Sequence, residues 1–183
     1  MVRHAPVRVA ILAAALCEIA AAAVVDRIAV VVGNDVITQS EVIEETRVTE
    51  FLNGDRLDLG AAARRAAAER LVDQQLIRNE MKIGQYLEPK TTDVDSVIAD
   101  IRAKQFGGSE AAMRASLQVY GLTEAELKSH LQWQLAAIWF TNTRFHGPSA
   151  LTPKQPTVEK QLDAWLKEKR LGIHIRFFSE AFE

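Results

Sequence analysis

Cysteine is almost missing from this sequence. Cys17 stands alone, so no disulfide can form within the chain and no cysteine pair is available to open a zinc site. The four histidines, His4, His130, His146 and His174, are scattered, and no two share a helical turn as a metal-binding pair would. Positive charge is not in surplus either. The 22 basic and 24 acidic side chains leave a formal net charge of -2, a poor match for a phosphate backbone, which argues against nucleic acid as a partner. Gly107-Gly108 is not followed by the Lys and Ser or Thr of a phosphate-binding loop, so it reads as an interhelix break. No nucleophile stands in a recognised local setting, and acidic pairs such as Glu44-Glu45 read as solvated helix faces. A catalytic triad can assemble from residues far apart in sequence, but the local pattern predicts no catalysis, no cofactor and no metal.

What is present begins with an export signal. Arg3 and Arg8 give a basic start, Val9 to Leu16 an apolar run, and Ala20 to Ala23 a zone of small residues, the order of a cleavable leader. The run is too short for a permanent bilayer span, which needs about 20 residues, so no stable membrane insertion is expected. Residues 1–23 are expected to leave by cleavage after Ala22 or Ala23, with a buried N-terminal helix as the competing reading. Glu18 is unusual so close to the apolar run. Lipid attachment at Cys17 is disfavoured because Leu16 occupies the place where such a processing site takes Gly or Ala. Loss of Arg3, Arg8 and Glu18 would leave 20 basic and 23 acidic side chains, a charge of -3, and no cysteine.

Beyond the leader the pattern is mainly helical. Ile28 to Val32 is a short β-branched run closed by Gly33-Asn34-Asp35, which predicts a buried strand. Thr38 and Glu41 form a capping box for a helix reaching about Leu52, ended by Asn53-Gly54. A second helix spans about Ala61 to Ile83, with Ala68, Leu71, Val72, Leu76 and Ile83 on one side and Ile77 and Met81 widening the arc. Val94, Val97, Ile98 and Ile101 stripe a third helix from about Thr92. Ser109 caps a fourth, whose Met113, Leu117 and Tyr120 share a face before Gly121 ends it.

Thr123 and Glu126 then open a long helix from about Glu124 to Phe145. It carries one stripe of Leu127, Leu131, Leu135 and Ile138 and another of Trp133, Ala137 and Phe140, with Trp139 between them. A helix apolar on two sides is either sandwiched in a core or partly covers a groove. Residues 146–156 hold three of the five prolines and read as a linker. Val158, Leu162, Trp165 and Leu166 stripe a final helix, and alternation over 172–178 predicts a half-buried strand. An isolated strand is unstable, so 27–32 is expected to pair with 172–178. The expected fold is mainly α: a multi-helix domain over 24–145, the linker, and a helix and strand over 157–183 packing back on it, with a small two-stranded sheet joining the two ends.

Three segments carry a family resemblance. The run from Val24 to Val42 (VVDRIAVVVGNDVITQSEV) gives strand, turn and helix start directly after the leader. Residues 68–87 (AERLVDQQLIRNEMKIGQYL) form a helix ending in a basic, glycine-containing turn. Phe106-Gly107-Gly108, Leu117, Tyr120-Gly121-Leu122-Thr123 and Glu126-Leu127 then follow in order. Together they resemble the N-terminal domain of SurA-type periplasmic chaperones over about 24–145. The resemblance implies a periplasmic protein that binds unfolded client polypeptides, outer-membrane proteins above all. Many family members also carry parvulin-type prolyl isomerase domains before the C-terminal segment. Here the corresponding place is the stretch 146–156, far short of the roughly 100 residues of a usual domain, so isomerase activity is not implied. As an apolar cradle for clients, Met81, Met113, Tyr120, Trp133, Trp139 and Phe140 are the candidate lining residues, since Met and aromatic surfaces tolerate varied partners; each is also a candidate for plain core packing. A prolyl isomerase-related protein remains an alternative, as does an envelope assembly partner that forms a homodimer by exchanging the 172–178 strand.

Overall fold

The computed structural model describes residues 26–84, 86, 89–145 and 157–183. The expected leader, Cys17 and the linker 146–156 lie outside the described residues.

The chain opens with β1 (Ile28–Val32), turns through Gly33-Asn34 and returns as β2 (Asp35–Thr38). Gly33 holds φ at +61°, and a Cβ there would sit 2.8 Å from Ile173 Cδ1, so both backbone conformation and space call for glycine. β2 runs straight into α1 (Gln39–Asn53) through the expected capping box. Thr38 N–H donates to the Glu41 carboxylate (2.7 Å), and Glu41 N–H donates to Thr38 Oγ1 (3.4 Å). Gly54, left-handed at φ +71°, ends the helix. Then come α2 (Ala61–Gly84), α3 (Thr91–Phe106), α4 (Glu110–Val119), α5 (Glu124–Phe145) and α6 (Val158–Leu171). β3 (Ile175–Phe177) and a short 3-10 turn, Ser179–Ala181, close the chain.

The fold is mainly helical, as the sequence predicts, and the two distant strands do pair. Val30 faces Phe177, Val31 faces Arg176 and Val32 faces Ile175, antiparallel. Gly33 N–H reaches His174 O at 2.8 Å, and Phe178 N–H reaches Ala29 O at 2.9 Å, which extends the ladder at both ends. The sheet has three strands rather than the two expected, in the order β2-β1-β3. Val36-Ile37, which follow the turn and were not expected to form a strand, fold back against β1 because a two-residue connection places the next residues beside it.

One face of this sheet packs on α2. Val30, Val32, Ile37 and Val42 meet Ala67, Ala68, Val72 and Leu76, and Phe182 covers them from the C-terminal side. Arg64 on α2 donates to the carbonyls of Phe182 (2.6 Å) and Glu183 (2.9 Å), which holds the last residues in place. Ile83, placed on the same stripe by the sequence, is 82% exposed, because α2 continues past its last buried residue, Ile77.

A second core gathers Val48, Phe51, Val94, Ile98, Met113, Leu117, Leu127 and Leu131 from α1, α3, α4 and α5. Phe51 stacks on Phe106 (5.9 Å between centroids) and meets Tyr120 edge-on (5.6 Å). A third, smaller core joins Ile77, Phe140 and Trp165 from α2, α5 and α6. Among the described residues no helix is long and apolar enough to cross a membrane.

Candidate functional site

The third core is not closed. On its open side α2 and α5 diverge around a cleft of about 420 Å³. Met81 on α2, Ala136 and Trp133 on α5, and Tyr86 and Pro89 in the following connection make its walls. The spacing explains the arrangement. Arg78, Met81 and Lys82 fall at i, i+3 and i+4 on α2, and Ser129, Gln132, Trp133 and Ala136 fall at i, i+3, i+4 and i+7 on α5, so each set lies on one helix face. Ala136 and Pro89 are buried and form the floor; Met81, Tyr86 and Trp133 are half-buried; Arg78, Lys82, Ser129 and Gln132 are exposed around the mouth. Beneath the floor, Phe140 holds Tyr86 edge-on (5.1 Å) and leans on Trp165 (5.5 Å), so the apolar walls rest on a packed base.

Arg78 lies over the Trp133 ring, 4.5 Å from its centroid, a cation–π contact across the cleft from α2 to α5. Partial withdrawal of its guanidinium from water lowers its pKa from the ordinary value, while Glu41 and Glu45 on α1 work against that shift. Its N–H groups have no hydrogen-bond partner among the described residues.

Behind the cleft, a buried carboxylate ties three helices together. Glu45 on α1 is 5% exposed and accepts from Arg70 Nε on α2 (3.1 Å), with His130 Nδ1 on α5 at 3.4 Å from its other oxygen. The pair Glu44-Glu45 was expected on a solvated face; Glu45 instead points inward, because these two partners satisfy it there. Burial pushes its carboxyl pKa up, but the hydrogen bonds and charges of His130 and Arg70 outweigh that and hold it below the ordinary range. Gln134 Nε2 lies 2.9 Å from His130 Nε2. Neighbouring Glu44 shifts the other way, raised by burial and by the charges of Glu126 and Glu41.

The six residues nominated from the sequence separate into distinct places. Met81 and Trp133 come together in the cleft. Phe140 and Met113 are buried at 0% and 1% exposure, inside the third and second cores. Tyr120 packs against the second core, and its hydroxyl donates to Asp55 O (2.6 Å). Trp139 is 39% exposed outside the cleft, seven residues beyond Gln132 and therefore on the same side of α5. Ile138, predicted to continue the Leu127–Leu131–Leu135 stripe, is exposed because the second core ends before it. Sequence reasoning missed Tyr86, Pro89, Arg78 and Lys82. The i, i+3, i+4 spacing of Arg78, Met81 and Lys82 was visible, but nothing in it marked the face as uncovered. Among the described residues no three His, Cys, Asp or Glu side chains gather as a metal set.

No family model matches the chain. It is similar to the protein called Chaperone SurA in Salmonella paratyphi A, Salmonella typhimurium and Salmonella typhi, 30% identical over 141 residues in each case. The match covers 74% of this chain but 32% of each relative, so the chain spans about a third of the length of the curated relatives it matches. At that distance the comparison supports a SurA-like relationship for most of this sequence.

Proposed function

We propose that this chain is a non-enzymatic, ATP-independent chaperone of the periplasm that holds unfolded outer-membrane or secreted proteins by apolar segments laid into the α2–α5 cleft. The observation that carries this reading is an open, apolar-walled cleft of about 420 Å³ built on a packed aromatic base, in a chain similar to part of Chaperone SurA. Met81, Tyr86 and Trp133 contact the client. Trp139 offers a second exposed contact on the same side of α5, and Met113, Tyr120 and Phe140 serve by keeping the scaffold rigid. Burying one client Leu or Phe side chain contributes roughly 1.5–3 kcal/mol, and ordering an extended segment offsets part of that. Weak binding of this kind releases its client without nucleotide hydrolysis. The leader 1–23 delivers the chain to the periplasm, and 157–183 fasten the helical domain through β3 and α6.

The test is suppression of aggregation of a urea-denatured outer-membrane protein on dilution. Wild-type protein is expected to keep the client soluble, and Trp133→Ser to lose most of that effect with its far-UV circular dichroism unchanged. Ala136→Leu, which places a side chain on the cleft floor without removing one, is expected to lose it as well. A wild type that leaves aggregation untouched, or two variants that protect as well as it does, would sink the reading.

A further inference from the structure

Of the described residues around the cleft two are cationic, Arg78 and Lys82, and none is acidic, in a chain whose acidic side chains outnumber its basic ones by 24 to 22. Several cations on α2, α5 and α6 are paired: Arg70 with Glu45, Arg144 and Lys169 with Glu80, Arg170 with Glu69 and Asp73. Arg78 and Lys82 have no carboxylate within ion-pair distance among the described residues. The carboxylates of Glu41 and Glu45 that influence Arg78 belong to α1 and do not line the cleft.

The geometry points to an acidic client segment: we propose that the cleft selects extended polypeptide carrying an Asp or Glu within two positions of a large apolar side chain. This rests on the client-binding reading above and adds its specificity. The apolar side chain enters between Met81 and Trp133, and the carboxylate meets the cations at the mouth. Arg78 lies over the Trp133 ring and its N–H groups have no hydrogen-bond partner among the described residues, so they are available to grip a carboxylate with two parallel hydrogen bonds. Because the ring already restrains the side chain, less rotamer freedom is lost on binding than for a free surface arginine. Lys82, one turn on, adds a point charge on the same face. A client lysine at the same position would meet two like charges.

Capped, fluorescein-labelled peptides with a central Leu-Phe and a neighbouring Asp, Asn or Lys, titrated with the full chain and read by fluorescence anisotropy, test this. The Asp peptide is expected to bind roughly threefold to tenfold more tightly than its Asn twin, the range for an exposed but preorganised ion pair, with the Lys peptide weaker still. The advantage should shrink in high salt and vanish in the Arg78→Gln/Lys82→Gln double variant. Arg78→Lys, which keeps the charge, should retain part of it. Equal binding of Asp and Asn peptides overturns the charge selection and leaves the apolar cleft standing; no binding of any peptide overturns both.

Discussion

The two halves of α5 face opposite ways. Leu127 and Leu131 point into the second core with α1, α3 and α4, whereas Phe140 points into the third with α2 and α6 and Ala136 lines the cleft beside it. The five residues from Leu131 to Ala136 amount to about 140° around the helix, so the buried face changes sides in a little over one turn. The first half is mostly sealed, stacked and edge-on aromatics packing around Phe51 and leaving a hollow of about 330 Å³ beside Phe106 and Tyr120. The second half has a buried base, Phe140, but its flanks, Met81 and Trp133, stay half-exposed. Trp165 keeps a buried indole N–H without a hydrogen-bond partner among the described residues. A filled core gains nothing from a foreign side chain. A core whose apolar walls remain wet does, and this supports the proposed binding role for the second half.

The strongest way to break this comparison is to damage both halves alike. Leu127→Ala removes a fully buried side chain and is expected to destabilise the fold by about 2–5 kcal/mol in urea titration. Peptide binding per folded molecule should not change. Phe140→Ala should cost about 3–5 kcal/mol and should also weaken binding in the fraction still folded, because Tyr86 in the cleft wall rests on that ring. If Leu127→Ala altered binding with the fold intact, the division of α5 into scaffold and site would fail.

A smaller effect separates the halves by pH. Glu45 joins α1 and α2 to His130, which lies on the sealed half of α5. Its pKa in the folded protein is lowered despite burial. Its stabilisation is therefore present above the pKa of the unfolded chain and lost as pH falls through the folded value, below the ordinary carboxylate range. Glu44, shifted up, works with the opposite sign over a higher window and offsets part of the acid limb. Glu45→Gln should cost about 1–3 kcal/mol at neutral pH, discounted because Arg70 is 42% exposed. Comparing the variant with wild type across pH isolates this carboxylate: their stabilities should converge in acid. Curves that stay parallel down to pH 3 would mean that the buried pair does not titrate with folding.

How far the sequence reaches is seen in these same residues. Capping boxes at Thr38 and Thr123, the break at Gly107 and the pairing of strands from opposite ends were legible, because caps and glycines are local and lone strands need a partner. The two apolar sides of α5 were legible as a pattern, but not which half served which core, since periodicity records that a face is buried and not by what. The cleft was half legible. Met81 and Trp133 stood out as residue types, whereas Tyr86 and Pro89 lie in a connection without periodicity. Phe140 and Met113 carry the same apolar signal whether they fill a core or line a groove. The buried Glu45 was hidden because its partners are 25 residues away (Arg70) and on a different helix again (His130).

The smallest expected effect concerns how α6 is held beside the cleft. Glu80 on α2 accepts from both Arg144 on α5 and Lys169 on α6, each at 2.9 Å, and its carboxylate is 18% exposed. The Lys169 hydrogen bond lowers its pKa most, burial opposes it, and Arg144 adds to the lowering. The ion pairs therefore stabilise the fold at neutral pH and fade as pH falls below the ordinary carboxylate value. Trp165 is the buried residue of α6, and Lys169, together with Arg170 on Glu69 and Asp73, adds polar attachment of α6 to α2. In the first half of α5 the cross-helix pair of Lys128 with Asp95 is well exposed. Glu80→Gln should cost about 1 kcal/mol at low ionic strength. The difference from wild type should narrow in high salt, read as the midpoint of thermal unfolding. An equal salt response in both proteins would assign α6 docking to Trp165 and its aromatic neighbours alone.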